Sequence, residues 1–198
     1  MISDIRKNHK LVLLGDSNVG KTSFALRIKD NHFSESVSQT IGCEFFSKIC
    51  DIPGKSEKIK LLIWDTSGQE VFRHFTPQFT RNTSLALIFF DINNNLTQSK
   101  LKNYIEDWAK YVQEESTILV IPTKYDLYKG KFKIDLFDTV EDFKNEIHIA
   151  HPVSNKKNIG IDNVLDQIIR ILENKDVEKA INGVDFEEEN NKFTCCRA

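Results

Sequence analysis

Long apolar runs are missing from this chain of 198 residues. The longest, Leu85 to Phe90, has six residues, against about 20 for a helix that crosses a bilayer, so it reads as a buried strand. The first residues, Met1-Ile2-Ser3-Asp4-Ile5-Arg6-Lys7, hold no apolar core of the kind a secretory signal needs. Basic charge is not in excess: 27 Lys and Arg stand against 29 Asp and Glu, for a net charge of −2. With no basic cluster either, no nucleic-acid partner is expected. Cysteine is too sparse and badly placed for a disulfide framework. Of the four, Cys43 and Cys50 fall in a predicted strand, and Cys195 and Cys196 are adjacent near the end. None has zinc-type spacing toward a histidine pair, and His148 and His151 have nothing nearby to complete a site. No internal repeat is visible. These absences describe a reduced, cytosolic protein, and an apolar content of 40% is enough for the core of one domain.

What is present begins with Gly15-Asp16-Ser17-Asn18-Val19-Gly20-Lys21-Thr22, which fits G-x-x-x-x-G-K-[ST] without a mismatch. An apolar run, Leu11–Leu14, precedes it and reads as a buried strand. Ser23-Phe24-Ala25-Leu26-Arg27-Ile28 follows with helical spacing. Glycines at both ends let the backbone curl so that several N–H groups meet one anion at the positive end of a helix. Gly15, Asp16, Ser17, Asn18, Val19, Gly20, Lys21, Thr22 and Ser23 are therefore the expected phosphate-binding residues. Lys21 would reach the β- and γ-phosphates, and the Thr22 hydroxyl would ligate Mg²⁺. A glycine turn ending in Lys-Thr by chance arises in about 1% of chains of this length, and the strand and helix flanks make it rarer. The chain is expected to bind a nucleotide.

Strand-like and helix-like segments alternate along the rest. Leu61–Trp64, Leu85–Phe90, Ile118–Ile121 and Ile147–Val153 read as strands, with helices near Leu101–Val112 and Ile161–Leu172. The last carries apolar residues at 161, 164, 165, 168, 169 and 172, a helical stripe. Such alternation implies an α/β fold: a mostly parallel sheet with helices on both faces. Phe45–Ile52 and Lys58–Trp64 flank Pro53-Gly54-Lys55 as a hairpin, which adds one antiparallel strand. Ligands in this architecture bind beyond the carboxyl ends of the strands, where the phosphate loop lies. The domain is placed at residues 8–173, after a short extension at 1–7. From Asn174 the composition turns polar, with Glu187-Glu188-Glu189 and few apolar anchors, and 174–198 reads as a disordered tail.

Further boxes sit where strands should end: Trp64-Asp65-Thr66-Ser67-Gly68-Gln69-Glu70, Thr123-Lys124-Tyr125-Asp126, and Ser154-Asn155-Lys156. Together with the phosphate loop, Asn31-His32-Phe33 and Thr40-Ile41-Gly42, they resemble the five sequence boxes of the small Ras-like GTPases. Thr40-Ile41-Gly42-Cys43-Glu44-Phe45 is close to the Rab signature T-I-G-V-D-F, and Phe72-Arg73-His74-Phe75-Thr76-Pro77 resembles the Rab segment after the glutamine. The resemblance covers about residues 8–173 and implies the six-stranded P-loop G domain. It also implies roles. Lys21, Thr40, Gly68 and Gln69 form the catalytic set, with Gln69 orienting the attacking water. Thr22 and Thr40 ligate Mg²⁺ directly, and Asp65 supports it through water. Thr40 and Gly68 sense the γ-phosphate, so that its loss frees both switch segments. Phe33 packs on the base and Lys124 lies along it. Asp126 accepts from guanine N1 and N2, the Asn155 backbone N–H meets O6, and Thr123, Ser154 and Lys156 complete the guanine boxes. Phe45, Trp64 and Phe79 fall where Rabs expose an aromatic triad to effectors, with ordinary core packing as the alternative for Trp64.

The sequence departs from the family at several points. Thr123 replaces the usual Asn, which bonds the base and buttresses the phosphate loop. Ser67 replaces the Ala beside the glutamine, Val71 an Arg or Lys, and Val37 an aromatic that covers the nucleotide. Phe79-Thr80-Arg81-Asn82-Thr83 is a poor version of Y-Y-R-G-A. No arginine is assignable to the γ-phosphate, so intrinsic hydrolysis is expected on the order of 10⁻⁴ to 10⁻³ s⁻¹ until a partner supplies the charge. Cys195-Cys196-Arg197-Ala198 resembles Rab endings that carry geranylgeranyl groups on both cysteines. The tail is net acidic and offers no polybasic second signal, so two lipids would be needed for stable anchoring. The resemblance implies exchange factors, GTPase-activating proteins, effectors and GDI or escort proteins as partners, a monomer, and a peripheral place on the cytosolic face of an endomembrane. A pseudo-GTPase that binds without turnover, a small-molecule P-loop kinase and a Ras- or Rho-type switch are the competing readings.

Overall fold

The computed structural model describes residues 5–36, 38–67, 81–111, 117–130 and 146–192. Its strands are β1 (Ile5–Leu14), β2 (Cys43–Asp51), β3 (Lys58–Thr66), β4 (Leu85–Asp91), β5 (Thr117–Thr123) and β6 (Ile147–Ile149). Its helices are α1 (Lys21–Asp30), α2 (Asn95–Ser99), α3 (Leu101–Tyr111) and α4 (Ile161–Lys192), with a 3-10 turn at Tyr125–Leu127. The strands form one sheet in the order β2-β3-β1-β4-β5-β6. All neighbours are parallel except β2, which runs antiparallel to β3.

Alternation of side chains along each strand explains the layers. In β1, Leu11 and Leu13 face a cluster holding Phe24 and Ile28 of α1 and Ile168 and Leu172 of α4. Val12 and Leu14 face the other side, where Ile105 and Trp108 of α3 pack. β4 and β5 divide in the same way, so both faces of the central strands are covered and their sequences are apolar without interruption. The sheet is wound outward from β1 in both directions, which puts the loop after β1 at the point where strand order reverses.

The hairpin turn follows its sequence: Lys55 N–H donates to the Ile52 carbonyl at 3.0 Å, and Gly54 holds φ at +79°, with Pro53 before it to fix the first corner. Three boundaries differ from expectation. β1 starts at Ile5, so Ile5 and Lys7 of the expected extension pair with β3, with a register shift between them. β6 ends at Ile149 rather than Val153. α4 runs through Lys192, although composition reads 174–198 as a disordered tail. Side-chain ties hold its turn just past Leu172. Lys55 reaches Glu173, Lys7 reaches Asp176 at 2.6 Å, and Lys175 donates to the Ser84 carbonyl at 3.3 Å. A helix already nucleated and packed over its first turns extends at low cost per residue. No helix among the described residues is long and apolar enough to cross a membrane.

Candidate nucleotide-binding site

The loop between β1 and α1 adopts the curl expected of it. Gly15, Asn18 and Gly20 have φ of +135°, +64° and +100°, and a Cβ on Gly15 would lie 2.3 Å from the Phe89 carbonyl oxygen. Lys21, 5% exposed, folds back over the loop and donates to the Gly15 and Asp16 carbonyls at 2.8 and 2.9 Å. Burial pulls its pKa down to about 8, while Asp65 and Asp16 oppose the shift. Ser17, Asn18, Gly20, Lys21, Thr22 and Ser23 line a cleft that Ser38, Gln39 and Thr40 close from the other side. Val19 is buried in the core. Asp16 turns its carboxylate outward to Lys100 at 3.0 Å and Tyr104 at 2.8 Å; those two residues therefore steady the loop from α3 and its approach.

Oxygen donors converge at one end of this cleft. Thr22 Oγ1 donates to Asp65 Oδ2 at 2.6 Å, and the hydroxyls of Thr22 and Thr40 lie 2.8 Å apart. Asp65 is fully buried, and its Oδ1 has no hydrogen-bond partner among the described residues. Burial raises its pKa to about 6, against the lowering effects of the Thr22 bond and the Lys21 charge. A buried carboxylate with one oxygen unpaired, beside two hydroxyl oxygens, suits a hard divalent cation with oxygen ligands. The residues present fit Mg²⁺. Asp65 is held at the end of β3, where its neighbour Thr66 bonds the Leu13 carbonyl of β1. The next residue, Ser67, is buried and donates its N–H to the Gly42 carbonyl at 2.9 Å, which ties the chain just after β3 to the residue before β2.

A second cleft adjoins the first and shares Asn18, Gly20 and Ser23 with it. Phe33, Lys124, Asp126, Leu127, Asn155 and Lys156 are among its other wall residues. The sheet brings these residues from three separate boxes together at the ends of β5 and β6. Ser154 Oγ donates to Asp126 Oδ1 at 2.5 Å. Lys124 takes a left-handed φ of +58° and pairs with Asp91 at 3.0 Å. Thr123, fully buried, places its hydroxyl 2.7 Å from the Val19 carbonyl. The buttress to the phosphate loop thus survives the replacement of Asn by Thr. Glu35 and Lys156 pair at 2.6 Å across the mouth.

Arg27 is a member of the site that motif reading missed. Its Nε donates to the Asn155 carbonyl at 2.7 Å, Nη1 to the Asn31 carbonyl at 2.8 Å, and its guanidinium lies 5.5 Å from the Phe33 ring. It fastens α1 to the base-side loop. Gln39, also missed, donates to Ser17 Oγ at 3.2 Å across the phosphate cleft. Neither belongs to a box, and both act over distances in sequence that periodicity cannot span. Away from the clefts, Phe45 of β2, 56% exposed, meets Trp64 of β3 edge-on with ring centroids 5.8 Å apart, and Lys10 Nζ lies 4.9 Å from the Trp64 ring. Trp64 also packs against the α3-side core. Val37, Gly68, Gln69, Val71, Phe79, Cys195 and Cys196 lie outside the described residues.

Comparison with known proteins agrees with this geometry. Residues 10–174 match the Ras family. The chain is 36% identical over 169 residues to Ras-related protein Rab-21 of Dictyostelium discoideum, covering 85% of this chain and 78% of that one. It is 31% identical over 196 residues to human Ras-related protein Rab-22A, covering 94% and 97%. It is 29% identical over 192 residues to Ras-related protein RabC of Dictyostelium discoideum, covering 95% and 97%. The chain belongs to the Ras family of small GTPases as a divergent Rab.

Proposed function

We propose that this Rab binds GTP and GDP with Mg²⁺, hydrolyses GTP slowly, and acts as a two-state switch that recruits effectors to a membrane in vesicular trafficking. The observation that carries the reading is the junction of two clefts through Asn18, Gly20 and Ser23. One is lined by a lysine, hydroxyl side chains that include Thr22 and Thr40, and the glycine-rich loop, as a polyphosphate requires. The other is lined by an aromatic ring and a carboxylate, as a guanine requires. Asp126 would accept from guanine N1 and N2, a pairing adenine cannot offer, with Ser154 holding its Oδ1 in place. Lys21, positioned by two loop carbonyls, would transfer its ammonium to the phosphate oxygens. Thr22, Thr40 and Asp65 would hold the metal. A Mg²⁺ ion held there would supply charge neutralisation for the phosphate oxygens.

Gln69 would orient the attacking water, and Thr40 and Gly68 would respond to the γ-phosphate. Arg27 is engaged by carbonyls of Asn31 and Asn155 rather than by the phosphate cleft. Intrinsic turnover would therefore stay at about 10⁻⁴ to 10⁻³ s⁻¹ until an activating protein supplies a cation. Exchange factors, effectors and GDI or escort proteins are the remaining partners proposed. Phe45 and Trp64, with Phe79, are assigned to the effector surface, and Cys195 and Cys196 to prenylation.

Single-turnover hydrolysis of bound GTP, with guanine and adenine nucleotides compared for binding, tests the reading. Guanine-selective binding with slow, measurable turnover is expected. Equal binding of adenine nucleotides would defeat it, and tight guanine binding without turnover would reduce the chain to a nucleotide-dependent binding module.

A further inference from the structure

Asn155 is 7% exposed and lies in the wall shared by the base-side cleft and the phosphate loop. Its Nδ2 donates to the Gly20 carbonyl at 3.0 Å. This contact fixes the amide's orientation, since a carbonyl accepts only from the nitrogen. The approach is close enough that a Cβ on Gly20 would stand 2.8 Å from Nδ2. Oδ1 is buried and has no partner among the described residues. A carboxamide left half-paired in a buried wall is unfavourable compared with an apolar side chain of similar size. What the side chain can offer an acceptor on a ligand in this cleft wall is its nitrogen, since a primary amide that donates once keeps a second N–H.

Guanine offers a matching need. One edge carries the N1 and N2 donors, which Asp126 serves in the function proposed above, and on which this inference rests. The opposite edge carries two acceptors, O6 and N7. The Asn155 backbone N–H is assigned to O6, which leaves N7. Thr123 cannot supply a donor there, because its one hydroxyl hydrogen is taken between the Val19 and Phe90 carbonyls, 2.7 and 2.9 Å away. We propose that the Asn155 side chain is a specificity-determining group of this Rab: its spare Nδ2–H donates to purine N7 while its other N–H holds Gly20. One amide then bonds the base and the phosphate loop together, and Arg27, bonded to the Asn155 carbonyl at 2.7 Å, keeps the backbone of that residue in register.

The test removes one atom from the ligand. 7-Deaza-GDP replaces N7 by a carbon and keeps every other polar group of GDP. Release of each nucleotide from the full-length protein would be followed by stopped-flow exchange, for wild type and for Asn155→Ala. Wild type is expected to release 7-deaza-GDP about 3- to 10-fold faster than GDP, the weight of one buried hydrogen bond. Asn155→Ala should release both at one rate. A purely structural role, tying the loop through Gly20, would speed release of both nucleotides equally and leave the wild-type ratio intact in the variant; that result overturns the proposal. If Asn155→Ala does not fold, the wild-type ratio alone decides, and equal release of the two nucleotides overturns it. Failure to bind either guanine nucleotide would instead defeat the guanine reading itself, and the proposal with it.

Discussion

Thr22 and Asp65, one opening α1 and the other near the end of β3, are joined by a 2.6 Å hydrogen bond from hydroxyl to carboxylate. The Thr40 hydroxyl, 2.8 Å from that of Thr22, adds the loop between α1 and β2, the proposed first switch, to the same cluster. Helix, sheet and loop thus meet at three oxygens. A γ-phosphate that engages the metal would hold the switch through Thr40, while a diphosphate would not require it. Thr22→Asn removes the central hydroxyl and inserts a larger amide. Affinity for Mg²⁺ and GTP is expected to fall by about tenfold more than affinity for GDP, a difference of roughly 1.4 kcal/mol. Titration with fluorescent nucleotides, with and without a chelator, measures this. Equal losses for GTP and GDP would remove Thr22 from the metal's ligands.

Gly15 is fixed by both space and backbone. Its φ is +135°, and an added Cβ would stand 2.3 Å from the Phe89 carbonyl oxygen, a strand atom that cannot move aside. Gly15→Ala is expected to cost about 3 kcal/mol or more from overlap and strain together. Gly54→Ala is the control, since φ there is +79° but nothing lies within 4 Å, and only strain of about 1–2 kcal/mol applies. Thermal melts of the two variants should separate by several degrees. Indistinguishable melts would show that β4 can yield at Phe89.

Local pattern carried the reading only as far as local pattern determines structure. The uninterrupted apolar strands β4 and β5, the Pro53-Gly54 turn and the phosphate loop each encode their geometry in adjacent residues. The first half of β1, Arg6-Lys7-Asn8-His9-Lys10, shows no strand pattern, and it is drawn into the sheet by pairing with β3. The turn of α4 just past Leu172 is tied to β1 through Lys7 and Asp176, 169 positions apart. Composition cannot register such a tie. The boxes likewise named the site's motif residues, but its fastening comes from residues in no box. Arg27 reaches Asn155 over 128 positions, and Lys100 and Tyr104 reach Asp16 over 84 and 88.

Arg27 offers a direct measure of that fastening. It joins α1 to the base-side loop by charge-assisted bonds to the Asn155 and Asn31 carbonyls and lies over Phe33. Arg27→Ala would free the backbone of Asn155 and the ring expected to pack on the base. A charged hydrogen bond contributes about 1.5–3 kcal/mol, so GDP release should accelerate by roughly tenfold or more. Arg27→Lys keeps the charge but not the fork and should recover little. A release rate unchanged in Arg27→Ala would mean that the loop holds its shape unaided.

The two adjacent cysteines near the end of the chain can be tested apart from the G domain. One lipid gives marginal binding and two give stable anchoring, and the tail's acidic residues, Glu187-Glu188-Glu189 among them, add no attraction to anionic lipid. Cys195→Ser and Cys196→Ser together should move the protein wholly into the soluble fraction while leaving nucleotide binding unchanged. Either single variant should weaken retention sharply. Membrane retention of the double variant would rule out the prenyl anchor.

His9 makes the tie between β1 and α4 sensitive to acid. It is 3% exposed, and its Nε2 lies 3.1 Å from Asp176 Oδ2. Burial holds its pKa below the usual 6.5, helped by the charges of Lys7 and Lys175 and opposed by Asp176. The folded protein therefore binds a proton on this ring less readily than the unfolded chain. Between the unfolded pKa and the lower folded one, the unfolded state holds more protons, so stability rises with pH across that window. As pH falls from 6.5, stability should drain away by at most about 1.4 kcal/mol per unit and level off once the folded pKa is passed. Denaturant melts of wild type and His9→Asn between about pH 5 and 7 isolate this contribution, because the carboxylates that also titrate there are common to both. The wild-type curve should be the steeper. Asp176→Asn should steepen it further, since it removes the charge that favours the imidazolium. Parallel curves for wild type and His9→Asn would mean that the ring takes its proton as easily in the fold as out of it, and that the contact with Asp176 already offsets the effect of burial.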